Sequence, residues 1–275
     1  MLDSGEVSVK YLDTVAGEAS SLTCHRLFIA CGPVASFKIV AKSRRIYKPL
    51  KLKYQPYFLF PAINRQHTPP KDLYRTNSLA QLYIQLRDRD QLGSNVHFSV
   101  YTYNDFIQYK LRNVLGFLPG LQGIKDNYIL GRLMAVQGYL DSDTGSEIEI
   151  SLDVSGADNQ AKVKLVSMNT NRATRIIKNA VRKIFLDARY LGFWPVSPML
   201  EMGVPGDGNH IGGVFPMMGS PGEHGTDKYG RLEGKGKVHV VDSSIMPSLP
   251  AGPPTFSIMA NAYRIGAIVS EIEEN

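Results

Sequence analysis

Two polar residues in the last quarter of the chain are placed to do chemistry. One is His210, in Gly208-Asn-His210-Ile-Gly-Gly-Val-Phe. The other is Asp242, which ends Val238-His-Val-Val and is followed by Ser243 and Ser244. An imidazole titrates near neutral pH, so it can take a proton from an alcohol. The flanking glycines leave a substrate room to approach the ring. Residues 238–241 read as a short buried strand, so Asp242 sits where that strand gives way to a bend rich in proline (Pro247, Pro250, Pro253, Pro254). A helix then opens near Thr255, Phe256 and Ser257. Its free N–H groups and positive end can stabilise an anion. A third element lies early in the chain, at Ala30-Cys-Gly32-Pro, where a glycine straight after an apolar strand lets a ligand approach the backbone. Each also has a plainer reading: a loop histidine bonded to a carbonyl, an aspartate capping the next turn, an ordinary strand-to-helix turn. His25, His67, His97, His224 and His239 are read as structural, with His239 facing away from Val238 and Val240.

Positioning these residues takes a mixed fold. Residues 7–11 read as a strand, 17–21 as a turn, and 22–30 as a second strand with the apolar core Leu27-Phe-Ile-Ala. A continuous apolar run implies burial on both faces, as in a parallel sheet. Residues 34–43 then have helical spacing, so strand, glycine turn and helix form an α/β unit. The middle of the chain differs. Residues 82–86, 96–101, 133–140 and 148–152 read as strands, several of them alternating, which suits an antiparallel sheet with one wet face. Residues 141–146 read as a hairpin-type loop between two of them, and 105–118 as a short helix. The clearest helix covers 170–190, with Ala173, Ile176, Ile177, Ala180, Val181, Ile184, Phe185 and Ala188 on one face. Its other face carries Arg172, Arg175, Lys178, Arg182 and Lys183, read as solvated. Gly192 and Pro195 end it. Residues 203–236 read as glycine-rich loop, and 257–271 as a closing helix with Thr255 or Ser257 as N-cap.

Composition excludes several classes. The 275 residues are 43% hydrophobic and 20% charged, which is enough to bury a core and unlike a disordered chain. A net charge of +6 does not by itself argue for nucleic acid. The basic run Lys38, Lys42, Arg44, Arg45, Lys48, Lys51, Lys53 has no aromatic partners and reads as a solvated helix end and loop. Cys24 and Cys31 lie on one short segment, where a strand holds them too far apart to bridge. No signal segment opens the chain and no run reaches about 20 apolar residues. The expectation is a cytoplasmic protein that neither spans a membrane nor binds nucleic acid. Metal clusters, a Gly-x-Ser-x-Gly elbow and a phosphate-loop lysine motif are missing from the sequence. Glu147, Glu149 and Asp153 read as one solvated strand face.

The order of these elements resembles the C-terminal half of the glucose–methanol–choline (GMC) oxidoreductases, flavoprotein alcohol oxidases and dehydrogenases. That family has a His-x-x-Gly loop, a Tyr-Gly-Arg type turn, a strand ending Val-x-Asp-x-Ser, a proline and a final helix. The matching elements are His210-Ile-Gly-Gly, Lys228-Tyr-Gly-Arg231, Val240-Val-Asp-Ser-Ser244, Pro247 and Ile258-Met-Ala-Asn-Ala-Tyr-Arg. Gly32 to Ser43 is similar to the family's second signature, departing at Phe37, where proline is usual, and at Arg44, where glycine is usual. The resemblance implies an α/β (α+β) chain: the C-terminal part of an FAD-binding α/β domain plus an antiparallel-sheet substrate domain. Residues 1–43 would belong to the FAD-binding domain and 44–190 to the substrate domain. Residues 191–275 would return to the first and carry the catalytic loop.

The resemblance also implies roles. His210 would be the base beside flavin N5 as an alcohol loses hydride. Asp242 and Ser243, with Pro254, Thr255, Phe256 and Ser257, would face the flavin ring. Ala30 and Gly32 would lie near the adenine half of FAD. Pro253 stands where the family usually has a second His or Asn, and proline neither donates a hydrogen bond nor takes a proton. The family's Gly-x-Gly-x-x-Gly, which seats the FAD pyrophosphate, does not occur in these 275 residues. The chain therefore reads as a truncated piece of such an enzyme. Two readings stay open. One is an FAD-dependent oxidoreductase acting on the CH–OH group of a small-molecule alcohol, with a partner chain supplying the FAD-binding half. The other is a non-catalytic remnant or partner-dependent subunit that binds protein.

Overall fold

A computed structural model describes residues 5–67, 80–87, 93–102, 131–145, 147–153, 162–168, 171–205, 210–233 and 236–274. In chain order the elements are β1 (Val7–Leu12), β2 (Ala19–Cys24), β3 (Leu27–Ile29), α1 (Pro33–Arg44), β4 (Leu50–Tyr54), β5 (Tyr57–Asn64), β6 (Leu82–Leu86), β7 (Val96–Thr102), β8 (Leu133–Leu140), β9 (Glu147–Asp153), β10 (Lys162–Met168), α2 (Asn171–Leu186), α3 (Ala188–Leu191), β11 (Phe193–Pro195), β12 (Glu201–Met202), β13 (Ile211–Gly212), β14 (Val238–Val240) and α4 (Thr255–Glu274). The expected helix at 105–118 lies outside the described residues.

Two cores organise them. The first gathers Phe37, Val40 and Ala41 of α1, Leu52 of β4, Ile148 and Ile150 of β9, Phe215, Ile245, and Ile265 and Val269 of α4. At its centre β14 runs parallel to β3, Val240 pairing with Ile29. The pairing is parallel, as the apolar run at 27–30 implies, but β3 is buried on one face only: Ile29 is buried while Phe28 and Ala30 are exposed. The second core joins one face of the sheet β11-β5-β8-β7-β6 to α2. Phe58, Phe60 and Phe98 interlock there, with ring centroids 5.6 Å apart for Phe58 and Phe98. Each of these fully buried side chains contributes about 1.5–3 kcal/mol relative to exposure.

Several expectations change. Residues 22–30 are two strands rather than one. Residues 19–24 pair with β1 as a hairpin, the chain breaks at His25, and 27–29 join β14. The turn falls at 13–17 instead of 17–21, because Asp13 Oδ1 accepts the N–H groups of Val15 and Ala16. Residues 141–145 do not close a hairpin. They carry the chain from β8 to β9, which lies in a separate sheet of order β10-β9-β4-β13. Lys51 and Lys53 sit on β4, not in a loop. The long helix stops at Leu186 and restarts as α3, ended by Gly192 at φ 78°. Phe185 points outward, 51% exposed. Strands β4, β5, β10, β11, β12 and β13 had no sequence expectation, and β13 falls in the stretch read as loop. In β5 a proline hides the signal. Pro61 falls in the gap where β11 pairs with residues 62–64 and β12 with 58–59. Its missing N–H therefore costs no ladder bond, while its carbonyl still accepts from Val196.

Candidate active site

His210 is positioned by its own backbone and by a glutamine from β4's end. The Gln55 N–H donates to the His210 carbonyl at 3.1 Å, starting the β4–β13 pairing in which Ile211 faces Tyr54. The two glycines after Ile211 have separate reasons. A Cβ on Gly212 would lie 2.4 Å from the Ser243 carbonyl oxygen, and Gly213 has φ 67°. The close approach lets residues 213–217 run along the Asp242 segment. The N–H groups of Gly213, Phe215 and Met217 donate to the carbonyls of Ser243, Ser244 and Ile245 at 2.8–2.9 Å. The His210 loop and the Asp242 bend are thus zipped together by backbone.

The His210 ring is half-buried between side chains. Its Nδ1 lies 2.5 Å from Gln55 Oε1, and Tyr139 packs on the ring with centroids 5.1 Å apart. Gln55, fully buried, also donates through Nε2 to the carbonyls of Pro250 and Gly252. It thereby links the histidine to the proline bend that delivers α4. Nε2 of His210 has no hydrogen bond among the described residues. Burial lowers the His210 pKa below its ordinary value of 6.5, because a buried imidazolium loses hydration.

Asp242 is heavily used by the fold. Oδ2 accepts from the Gly32 N–H at 2.9 Å and from Ser36 Oγ at 2.5 Å. Oδ1 accepts from the Ser244 N–H at 2.8 Å and caps the turn Ser243–Ile245. Its carboxylate also sits at the start of α1, where negative charge is favourable and Gly32 supplies no side-chain cap. Asp242 and Gly32 are therefore brought together, with Ala30 exposed just before them. Thr255, Phe256 and Ser257 are exposed in the first turn of α4, and Pro254 is buried behind them. Neither Thr255 nor Ser257 is the N-cap. The helix begins at Thr255, and its first internal bond runs from the Ile258 N–H to the Pro254 carbonyl at 3.0 Å. The N–H groups of residues 255–257 have no acceptor within the helix. Farther along α4, Asn261 Oδ1 accepts from Arg264 Nη2 at 2.9 Å.

The face of the β5-β8-β7-β6 sheet turned away from α2 is polar and aromatic. The cross-strand neighbours Tyr57, Tyr139 and His97 lie on it. Tyr101 donates to Gln137, which donates to the Tyr139 hydroxyl at 2.7 Å. Burial raises the Tyr57, Tyr101 and Tyr139 pKa values, so these phenols stay protonated. Gln55 and Gln137 were missed by sequence reasoning. A glutamine inside an apolar stretch (Tyr54-Gln55-Pro56-Tyr57) is the one local signal for the first. Among the described residues no His/Cys/Asp/Glu group could hold a metal, and Cys24 and Cys31 are free thiols.

The histidine loop is thus bonded to a strand–aspartate–proline bend, beside an antiparallel sheet with an aromatic face. Residues 146–262 match the family model described as GMC oxidoreductase. Among solved structures it is similar to pyridoxine 4-oxidase from Mesorbium loti, at 15% identity and a TM-score of 0.54, with 96% of this chain and 54% of that one covered. It is also similar to an FAD-dependent oxidoreductase from Chaetomium thermophilum in complex with a fragment. There the identity is 14% and the TM-score 0.53, covering 98% of this chain and 59% of the other. At such identities the likeness establishes a shared fold. The chain spans just over half the length of either structure. No curated protein matches its sequence. Among the described residues no helix is long and apolar enough to cross a membrane.

Proposed function

We propose that this chain supplies the base and the flavin-ring end of an FAD-dependent oxidoreductase acting on CH–OH groups. The observation behind it is the open Nε2 of His210, on a ring whose other nitrogen is tied through Gln55 to the bend leading into α4. The residues present fit one end of the cofactor. The free N–H groups of Thr255, Phe256 and Ser257 suit the anionic N1–C2=O edge of a reduced flavin. In this reading Asp242, Ser243 and Pro254 shape that end of the site, and Ala30 and Gly32 serve the adenine half. The Gly-x-Gly-x-x-Gly that seats the pyrophosphate in such enzymes does not occur in these 275 residues. In this reading a partner chain or further polypeptide brings it. The three-part division at 43 and 190 belongs to the same reading, with the β4–β9 sheet as the seam.

Bound there, FAD supplies the two-electron acceptor that takes hydride from the alcohol carbon. His210 Nε2 takes the hydroxyl proton, so the C–OH becomes C=O and the imidazole becomes imidazolium. Burial supports this role, because it keeps the imidazole neutral near pH 7. Pro253 offers no titratable group, so His210 acts as the sole base. Tyr57, Tyr139, Gln137 and Tyr101 would receive a small-molecule alcohol on the open sheet face. The test combines the chain with an FAD-binding half and follows flavin bleaching on anaerobic addition of alcohols. Reduction lost in His210→Ala supports the reading, and unchanged reduction removes His210 from the mechanism.

A second reading, a subunit with a protein-binding role, is favoured by Phe256, Met259 and Tyr263. They are 84%, 60% and 80% exposed along one stripe of α4. The occupant that fits is the FAD-binding half itself, since the stripe starts at the helix end assigned to the flavin. Failure of Phe256→Asp/Tyr263→Asp to associate with that half, with His210 intact, would tie both readings to one assembly.

A further inference from the structure

We infer that Gln55 is the positioning residue that fixes the tautomer of His210, holding the proton on Nδ1 and the lone pair on Nε2. This rests on His210 being the base. The argument begins at the other end of the amide. Gln55 Nε2 faces two main-chain carbonyls, those of Pro250 and Gly252, the latter at 3.1 Å. Carbonyl oxygens only accept, so the amide NH2 must point at them, and both its hydrogens are used. The orientation of the amide is therefore fixed by its partners. Oε1 is left facing His210 Nδ1 at 2.5 Å. An amide oxygen also only accepts, so Nδ1 must carry the hydrogen and donate it.

The neutral imidazole has one hydrogen to place, so Nε2 is left as the basic nitrogen. Free histidine leans the other way, toward hydrogen on Nε2, a form that cannot accept a proton there. Gln55 is fully buried, so water cannot replace it, and its own N–H clamps the His210 carbonyl at 3.1 Å. The same side chain thus sets ring position, tautomer and distance from the bend before α4.

The test reads the tautomer directly. Long-range proton–nitrogen NMR on the 275-residue chain labelled with 15N-histidine, above the imidazole pKa, distinguishes the two ring nitrogens. His210→Asn assigns the signals. The expected result is a protonated Nδ1 and an unprotonated Nε2 at His210. In Gln55→Met, close in size but without an acceptor, the pattern should shift toward hydrogen on Nε2. In Gln55→Glu, which keeps an acceptor, it should stay on Nδ1, with the His210 pKa raised by the added charge. In the FAD-loaded assembly Gln55→Met should lower kcat on the order of 10²-fold with little change in KM. A wild-type His210 protonated on Nε2, or a Gln55→Met protein that keeps the Nδ1–H form, overturns the inference. Should Gln55→Met not fold, the wild-type and Gln55→Glu spectra still decide it. The expected tautomer combined with full flavin reduction in His210→Ala would sink the base assignment instead, leaving the Gln55 geometry standing.

Discussion

His210, half-buried, and His239, fully buried, have similar surroundings and differ chiefly at one atom. His239 Nδ1 donates to the Tyr229 carbonyl at 2.6 Å, much as His210 Nδ1 faces an amide oxygen. Both rings lie against an aromatic: Phe28 at 5.0 Å for His239, Tyr139 at 5.1 Å for His210. Both have pKa values lowered first by burial. At Nε2 they part. Arg26 Nη1 donates to His239 Nε2 at 3.0 Å, so that lone pair is occupied by a group that never gives up its charge. Nε2 of His210 faces no donor among the described residues. What separates a structural imidazole from a candidate base here is whether the second nitrogen is already spoken for, since an acceptor at Nδ1 and a pKa lowered by burial are shared.

The largest test of that difference is His210→Ala. It should slow flavin reduction by about 10²–10⁴-fold, the usual contribution of a positioned acid–base group, measured by anaerobic stopped-flow. His239→Ala should do the reverse. It removes the ring that the Tyr229 carbonyl and Arg26 both bond in a part-buried site, which costs about 1–3 kcal/mol in urea melts. The reduction rate of the protein that remains folded should not move. A rate loss as large in His239→Ala as in His210→Ala would erase the distinction. Smaller still is Arg26→Met, which frees His239 Nε2. Burial would still hold the His239 pKa down, but the Arg26 contribution to that depression disappears, so its NMR titration should move upward.

The same contrast shows what could be read from the chain alone. The Gly-Gly after His210, the aspartate ending β14, the prolines and the amphipathic α2 are local signals, because each reflects a backbone requirement or a periodicity within a few residues. They were enough for β14 as a strand, for α1, α2 and α4, and for the antiparallel strands β1, β6, β7, β8 and β9, though not for the pairing of β14 with β3. His239 was expected on the face of its strand opposite Val238 and Val240. Both faces of β14 are covered, by Phe28 on the histidine side and by α1 and α4 residues on the other. Gln55 and His210 are 155 positions apart, and Asp242 and Gly32 are 210 apart. Such pairings depend on how β4 meets β13 and how α1 meets the bend, which no window of sequence contains. The division of the middle strands into two sheets was hidden for the same reason: residues 141–145 look like a hairpin turn, and only the registers show β8 and β9 in different sheets.

The smallest expected effect is on stability against pH, and its sign follows from three histidines. His97, His210 and His239 all have folded pKa values below the ordinary 6.5, in each case chiefly through burial. Around His97 stand Ser99, Tyr83 and the Gly252 backbone, none charged. Around His210 stand Gln55 and Tyr139, also uncharged. His239 alone faces ions. Arg26 and Arg231 push its pKa further down, while the Tyr229 carbonyl and Asp227 pull it up. Between the folded values and 6.5 the unfolded chain binds protons that the native state refuses, so stability rises with pH through that window. It is fully present above 6.5 and is lost as pH falls through the folded pKa values. Urea melts between about pH 7.5 and about pH 5.5 should show this loss, above the range where carboxylates titrate. Replacing His210 by Asn should flatten part of the slope, and replacing His239 by Asn a further part. A slope unchanged in both variants would place the proton uptake elsewhere and overturn the claim that burial holds the two imidazoles neutral.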